Sequence, residues 1–163
     1  MAFSGDTGAT NDVSRGQMAE HAAGRPRAVN LVVNLPSTLR KMKTVLLVDD
    51  DPATIEAWTI CMQDADCAVL CAYDGNAALA LLAEHRVDIV VSDWMMPGLG
   101  GALLCQTMKN DTALARIPFL MISGHPNPPA FVSYDGYLQK PVDMETLLSA
   151  VNRLCAAKTR PLY

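Results

Sequence analysis

Short apolar runs of strand length alternate with segments of helical periodicity from residue 43 onward, and this rhythm most constrains the fold. Val45–Val48, Ala68–Ala72, Val87–Val91 and Ile117–Ile122 are such runs, with Tyr137–Gln139 a shorter fifth. A strand buried on both faces reads as a nearly continuous apolar run rather than an alternating one. Between the runs, Ile55, Trp58, Thr59 and Met62 follow helical spacing. Leu79 and Leu82 do so after Asp74 as a cap, and Leu103, Leu104, Thr107 and Met108 mark a third helix. Met144, Leu147, Leu148, Val151, Leu154 and Cys155 form the clearest stripe, with Asp143 as its cap. Strand–helix alternation of this kind predicts an α/β fold, a doubly wound five-stranded parallel sheet with helices on both faces.

One connection breaks the rhythm. Ser123 to Gly136 reads SGHPNPPAFVSYDG, with prolines at 126, 128 and 129. Proline in a helix interior removes a hydrogen bond and clashes with the preceding turn. Only about six residues from Ala130 are left, fewer than two stable turns. The helix between strands four and five, the fourth of a regular (βα)5 chain, is therefore expected to be short or absent.

Length and charge narrow the function. A chain of 163 residues suits one domain. Its net charge of −4 divides into +2 over residues 1–42 and −6 over residues 43–163. A protein working through phosphate contacts would be basic, so no nucleic-acid binding is expected. Residues 1–42 are rich in Gly, Ala, Ser, Thr and Asn around one short apolar patch at Leu31, Val32 and Val33, and read as a disordered extension. Met42-Lys43-Thr44 opens directly into the first strand, as a start would. Residues 158–163 read as a short tail too small for an output module. The five cysteines lack paired CxxC spacing, which argues against a disulfide framework or a zinc site. No run approaches transmembrane length and no apolar leader opens the chain, so a cytoplasmic protein with no membrane insertion is expected.

Ligands of doubly wound sheets bind outside the carboxyl ends of the strands. Asp49-Asp50-Asp51 ends the first run here, Asp93 follows the third, Ser123 ends the fourth, and Lys140-Pro141 follows the fifth. Clustered acids at such ends call for a positive neutraliser, and an oxygen-only donor set suits Mg²⁺. A lysine nearby suits a phosphate, and a carboxylate can act as a nucleophile that forms an acyl phosphate. Each element alone has a plainer reading: a helix cap before Pro52, a turn residue at Asp93, a backbone-satisfying hydroxyl at Ser123, a solvated lysine at Lys140.

VLLVDDDP, VSDWMMPGLGG, FLMISG and GYLQKP, in this order, resemble the receiver domain of two-component response regulators, a flavodoxin-like fold, over residues 43–157. The resemblance implies that Asp93 is the phosphoacceptor. It implies that Asp50, Asp93 and the Met95 backbone carbonyl ligate Mg²⁺, with Asp49 acting mostly through water and Asp51 belonging to the helix cap. Ser123 and Lys140 would bind phosphoryl oxygens, Tyr137 with Ser123 would form the switch, and Pro141 would follow a cis peptide bond. For Tyr137 the plain alternative is a core aromatic in both states. Met95 and His125 stand at positions that vary in the family, and a loop role is the simpler reading of His125. Pro118-Phe119 with Ser123-Gly124-His125 also resembles a subgroup of receivers in which a flexible segment replaces the fourth helix; Met121, Ile122, Ser123 and His125 depart from its pattern.

The implied function is that of a single-domain response regulator. It would be phosphorylated on Asp93 by a histidine kinase or phosphotransfer protein with Mg²⁺ as cofactor, and signal by protein contact or phosphorelay as a monomer or weak dimer. It would not be an enzyme beyond self-phosphorylation and dephosphorylation. The alternatives are a pseudo-receiver interaction module and, more remotely, a small Asp-nucleophile phosphatase using Asp49-x-Asp51, which leaves Asp93 and Lys140-Pro141 unexplained.

Overall fold

The computed structural model describes residues 42–127 and 130–158. The extension expected at 1–42 lies outside these residues except for Met42, and the tail expected at 158–163 except for Lys158. Five strands and four helices follow one another: β1 (Lys43–Val48), α1 (Pro52–Asp64), β2 (Cys67–Ala72), α2 (Gly75–Glu84), β3 (Ile89–Asp93), α3 (Gly101–Asn110), β4 (Phe119–Ser123), β5 (Gly136–Gln139) and α4 (Met144–Lys158). The strands form one parallel sheet in the order β2-β1-β3-β4-β5.

Alternate residues of each strand serve different layers. Val45 and Leu47 of β1, Val91 of β3 and Ile122 of β4 pack with Ile55, Trp58 and Met62 of α1 and Leu147 and Val151 of α4. Leu46, Val48, Val90 and Met121 point the other way, towards Ala78 and Leu81 of α2 and Leu104 and Met108 of α3. β3 and β4 are therefore dry on both faces along their whole length, as their unbroken apolar runs require, while the edge strand β5 is only partly buried.

Helix starts are set locally. Asp51 caps α1 by accepting from the Ala53 and Thr54 amides, with Pro52 at the first helical position, where its missing N–H costs nothing. Asp74 caps α2 through the Ala77 amide at 2.8 Å, and Asp143 accepts from the Thr146 amide at 2.8 Å at the head of α4.

Three expectations need correction. β3 begins at Ile89 rather than Val87, because Asp88 is tied to Thr44 through both its amide and its carboxylate. β4 begins at Phe119, since Pro118 has no N–H to offer the ladder. On α3 the buried face is Gly101, Leu104, Cys105 and Met108, while Thr107 is exposed and Leu103 is 52% exposed. Gly101 sets that rotation. A Cβ there would stand 2.0 Å from the Asp93 carbonyl oxygen, so the helix backbone lies directly against the end of β3.

Between β4 and β5 no helix occurs among the described residues. Asp135 organises the segment instead, its carboxylate accepting from the Phe119 amide at 2.8 Å and from Lys109 Nζ at 2.7 Å. Lys109 also donates to the carbonyls of Ala115 and Ile117. Val132 is buried against the α3 side of the sheet, whereas Phe131 is exposed.

Candidate functional site

The sheet order reverses direction at β1, whose two neighbours β2 and β3 are reached by crossovers on opposite faces. A crevice opens at such a point, at the carboxyl ends of the strands. Asp49, just past β1, is 1% exposed, and Asp93, the last residue of β3, is 6% exposed. One ammonium serves both: Lys140 Nζ lies 2.9 Å from Asp49 Oδ2 and 2.6 Å from Asp93 Oδ1. The second Asp49 oxygen accepts from the Asp51 amide at 2.9 Å, and the second Asp93 oxygen from the Met95 amide at 2.7 Å.

Lys140 reaches this point because its own backbone is fixed. Its amide donates to the Ser123 carbonyl at 2.7 Å, which continues the pairing of β5 with β4 past Gln139. The Lys140–Pro141 peptide bond is cis, as expected.

The electrostatics follow from burial. Desolvation pushes the Asp49 carboxyl above its usual range; the Asp51 amide and Lys140 work against that rise, and the neighbouring Asp93 adds to it. Burial acts to lower Lys140, but its bonds to Asp93 and Asp49 outweigh that and raise it, so the ammonium is firmly charged. Asp51 is held below its usual range by the Thr54 hydroxyl first and the Ala53 amide second. Its oxygens are committed to the helix, in keeping with its reading as a cap.

The other expected site residues stand around this pair. Asp50 is exposed at the rim, and the Met95 side chain is also exposed. Ser123 is buried at the end of β4, with its hydroxyl oxygen accepting from the His125 amide at 3.0 Å. Tyr137, half-buried on β5, donates its hydroxyl to the His125 carbonyl. Asp49, Asp93 and Lys140 are thus in direct contact. Ser123 joins them through its backbone, and Tyr137 joins Ser123 through His125.

The donor chemistry fits a hard cation, because the acids are carboxylates and one ammonium does not balance Asp49, Asp50 and Asp93. Among the described residues no three His, Cys, Asp or Glu side chains are gathered as a ready-made metal cage. A bound ion would therefore draw on backbone oxygen and water as well.

Two contacts escaped the sequence reading. Lys140 Nζ lies over the Trp58 ring, 5.7 Å from its centroid. Trp94 meets His125 edge to face at 5.6 Å, which links the loop after β3 to the segment after β4. Trp58 was legible only as part of the buried stripe of α1. Its place seven residues after the cap Asp51, two turns along the helix, is the one signal that pointed elsewhere.

Comparison with known proteins bears on this arrangement. Residues 45–152 match the response regulator receiver domain family. Protein PilH of Pseudomonas aeruginosa is 31% identical over 120 residues, covering 71% of this chain and 99% of PilH. The DNA-binding dual master transcriptional regulator RpaA of Synechocystis sp. is 34% identical over 118 residues, 69% of this chain, but the match spans only 49% of RpaA. The solved structure of the chemotaxis response regulator CheY4 of Vibrio cholerae superposes with a TM-score of 0.66 at 31% identity, covering 70% of this chain and 99% of that one. With the family match over residues 45–152, and with buried acids and a lysine meeting at the strand ends, the chain belongs to the response regulator receiver domain family.

Proposed function

We propose that the chain is a response regulator that accepts a phosphoryl group on Asp93 from the phosphohistidine of a histidine kinase or phosphotransfer protein. The observation that carries this reading is the single ammonium of Lys140 held between two buried carboxylates at the carboxyl ends of the strands. In the proposed reaction an Asp93 carboxylate oxygen attacks phosphorus. The new P–O bond forms as the P–N bond breaks, and the electron pair leaves with the imidazole nitrogen. The Met95 amide orients Asp93, and Lys140 balances charge on the phosphoryl oxygens, so positioning and electrostatics supply most of the rate. Asp50, Asp93 and the Met95 carbonyl would hold Mg²⁺, with Asp49 acting through water; when bound, the ion supplies further charge stabilisation to the transferring group.

A dianionic group on Asp93 then attracts Lys140 and the Ser123 hydroxyl. Ser123 Oγ already accepts from the His125 amide, and the His125 carbonyl accepts from Tyr137. A pull on Ser123 therefore reaches Tyr137 through His125, which supports Ser123 and Tyr137 as the switch. Output by protein contact or relay is part of the proposal, as is stand-alone action, which the 99% coverage of PilH and CheY4 supports. Cys61, Cys67, Cys71 and Cys105 are buried thiols outside any disulfide, which supports a cytoplasmic setting.

The test is incubation with Mg²⁺ and acetyl phosphate, followed by intact mass. Wild type should gain one phosphoryl group, lost on chelation of Mg²⁺ beforehand and absent in Asp93→Asn. Labelling that persists in Asp93→Asn would overturn the assignment of the acceptor. An unlabelled wild type would favour a pseudo-receiver interaction module.

A further inference from the structure

We propose that Trp58 is a positioning residue for the phosphoryl-accepting site: its ring face carries the Lys140 ammonium and holds it where the Asp49 and Asp93 carboxylates meet. This rests on the reading of Asp93 as the phosphoacceptor.

Lys140 has a choice of position. Its side chain is 34% exposed, so water competes with the crevice for the charged tip. The carboxylates of Asp49 and Asp93 draw the tip inward, but one of those attractions changes when Asp93 becomes an acyl phosphate. The Trp58 ring does not change. It lies 5.7 Å below Nζ, inside the range of about 6 Å where an aromatic face attracts a cation. It is 4% exposed and packed between α1 and the sheet, so it cannot swing away with the lysine.

The chemistry of the residue suits the place. A carboxylate under Lys140 would also hold it, but would add negative charge beside Asp49, Asp50 and Asp93. An aromatic face attracts the cation with no net charge, and indole does so most strongly of the side-chain rings. The helix that carries Trp58 is itself fixed to the acids. Asp51 caps α1, and the Asp51 amide donates to Asp49 Oδ1. One rigid element thus presents the ring and orients one carboxylate, which is the kind of preorganisation that lowers a charge-transfer barrier. Trp58 also fills the core, so a packing role alone must be told apart from positioning.

Trp58→Phe and Trp58→Met separate the two. Both shorten the side chain and both remain apolar, but only Phe keeps an aromatic face. With acetyl phosphate and Mg²⁺, Trp58→Phe should label within about twofold of wild type, and Trp58→Met about three- to tenfold more slowly. A second arm uses fluorescence. The chain has two tryptophans, so Trp94→Phe leaves Trp58 as the sole tryptophan, excited apart from the tyrosines at the red edge of the absorption band. In that background Lys140→Met should change the Trp58 emission, and it should do so whether or not phosphate donor is present. Equal labelling rates in the Phe and Met variants would overturn the positioning role. An emission unaffected by Lys140→Met would do the same, and this arm decides if Trp58→Met does not fold. A wild type that never labels would instead overturn the phosphoacceptor reading of Asp93.

Discussion

Gly101 shows how a single missing side chain builds this site. Its Cα faces the Asp93 carbonyl so closely that a Cβ would come within 2.0 Å of that oxygen and 2.9 Å of Ser92 Oγ. The first of these is backbone, so it has no rotamer through which to retreat. Gly101→Ala should therefore cost about 3 kcal/mol, read as a lower urea midpoint. Because the strain falls on the end of β3, labelling of Asp93 should slow as well; an alanine variant with wild-type midpoint and rate would mean that α3 moves off freely. Cys105, four residues further along the same helix face, makes a different case. Burial pushes its thiol up to about 11. The thiolate is the reactive form, so native protein at pH 8 should resist iodoacetamide at Cys105 and react there only in denaturant. The raised value also means that Cys105 contributes stability fully present below the ordinary thiol value near 9.0 and lost as pH rises through about 11. Mapping alkylated peptides before and after unfolding checks the first point. Rapid native labelling at Cys105 at pH 8 would refute it.

At the scale of elements, Asp135 takes the part that a fourth crossover helix would otherwise take. Its carboxylate ties the Phe119 amide at the start of β4 to Lys109 at the end of α3, and its own amide donates to the Phe119 carbonyl. Asp135→Ala should strand a part-buried amide and release the lysine, at a cost of about 1–2 kcal/mol. Hydrogen exchange should quicken over 130–135 while α1 keeps its protection; unchanged exchange there would show that Val132 packing alone holds the segment. Asp74→Ala, which removes the α2 cap, should cost about 1 kcal/mol by urea unfolding with labelling of Asp93 little changed. The architecture around these elements was legible in advance. Unbroken apolar runs marked the buried strands, and prolines 126, 128 and 129 argued against a helix between β4 and β5, where none stands among the described residues. The rotation of α3 was not legible. Leu103 and Leu104 fit a helical stripe equally well, and a close approach at Gly101 chose between them. Asp93 and Lys140 were legible as residues at strand ends. That one ammonium would grip two acids was not, because Lys140 and Asp49 are 91 residues apart in sequence. Trp58 stayed hidden for a simpler reason: a tryptophan that supports a cation and one that fills a core occupy the same helical stripe.

For the whole molecule, the negative charge and the described elements fall in the same part of the chain. Residues 43–163 carry −6 and residues 1–42 carry +2. The described elements run from Lys43 to Lys158, and the family match spans 45–152. Among the described residues the two apolar layers together run from Val45 to Cys155: α1 and α4 cover one face of the sheet, α2 and α3 the other. A chain beginning at Met42 should then unfold at the same urea midpoint as the full chain and label Asp93 at a similar rate at moderate salt. Low ionic strength makes the comparison more telling. Removing +2 leaves the chain more acidic, which weakens its attraction for an anionic phosphoryl donor, and screening at about 0.15 M salt hides most of such a long-range effect. The shortened chain should label more slowly than the full chain at 0.01 M salt, with the gap closing as salt is added. A lower midpoint for the shortened chain would place structural contacts in the first 41 residues. Equal rates at every salt concentration would show that their charge lies out of reach of the site.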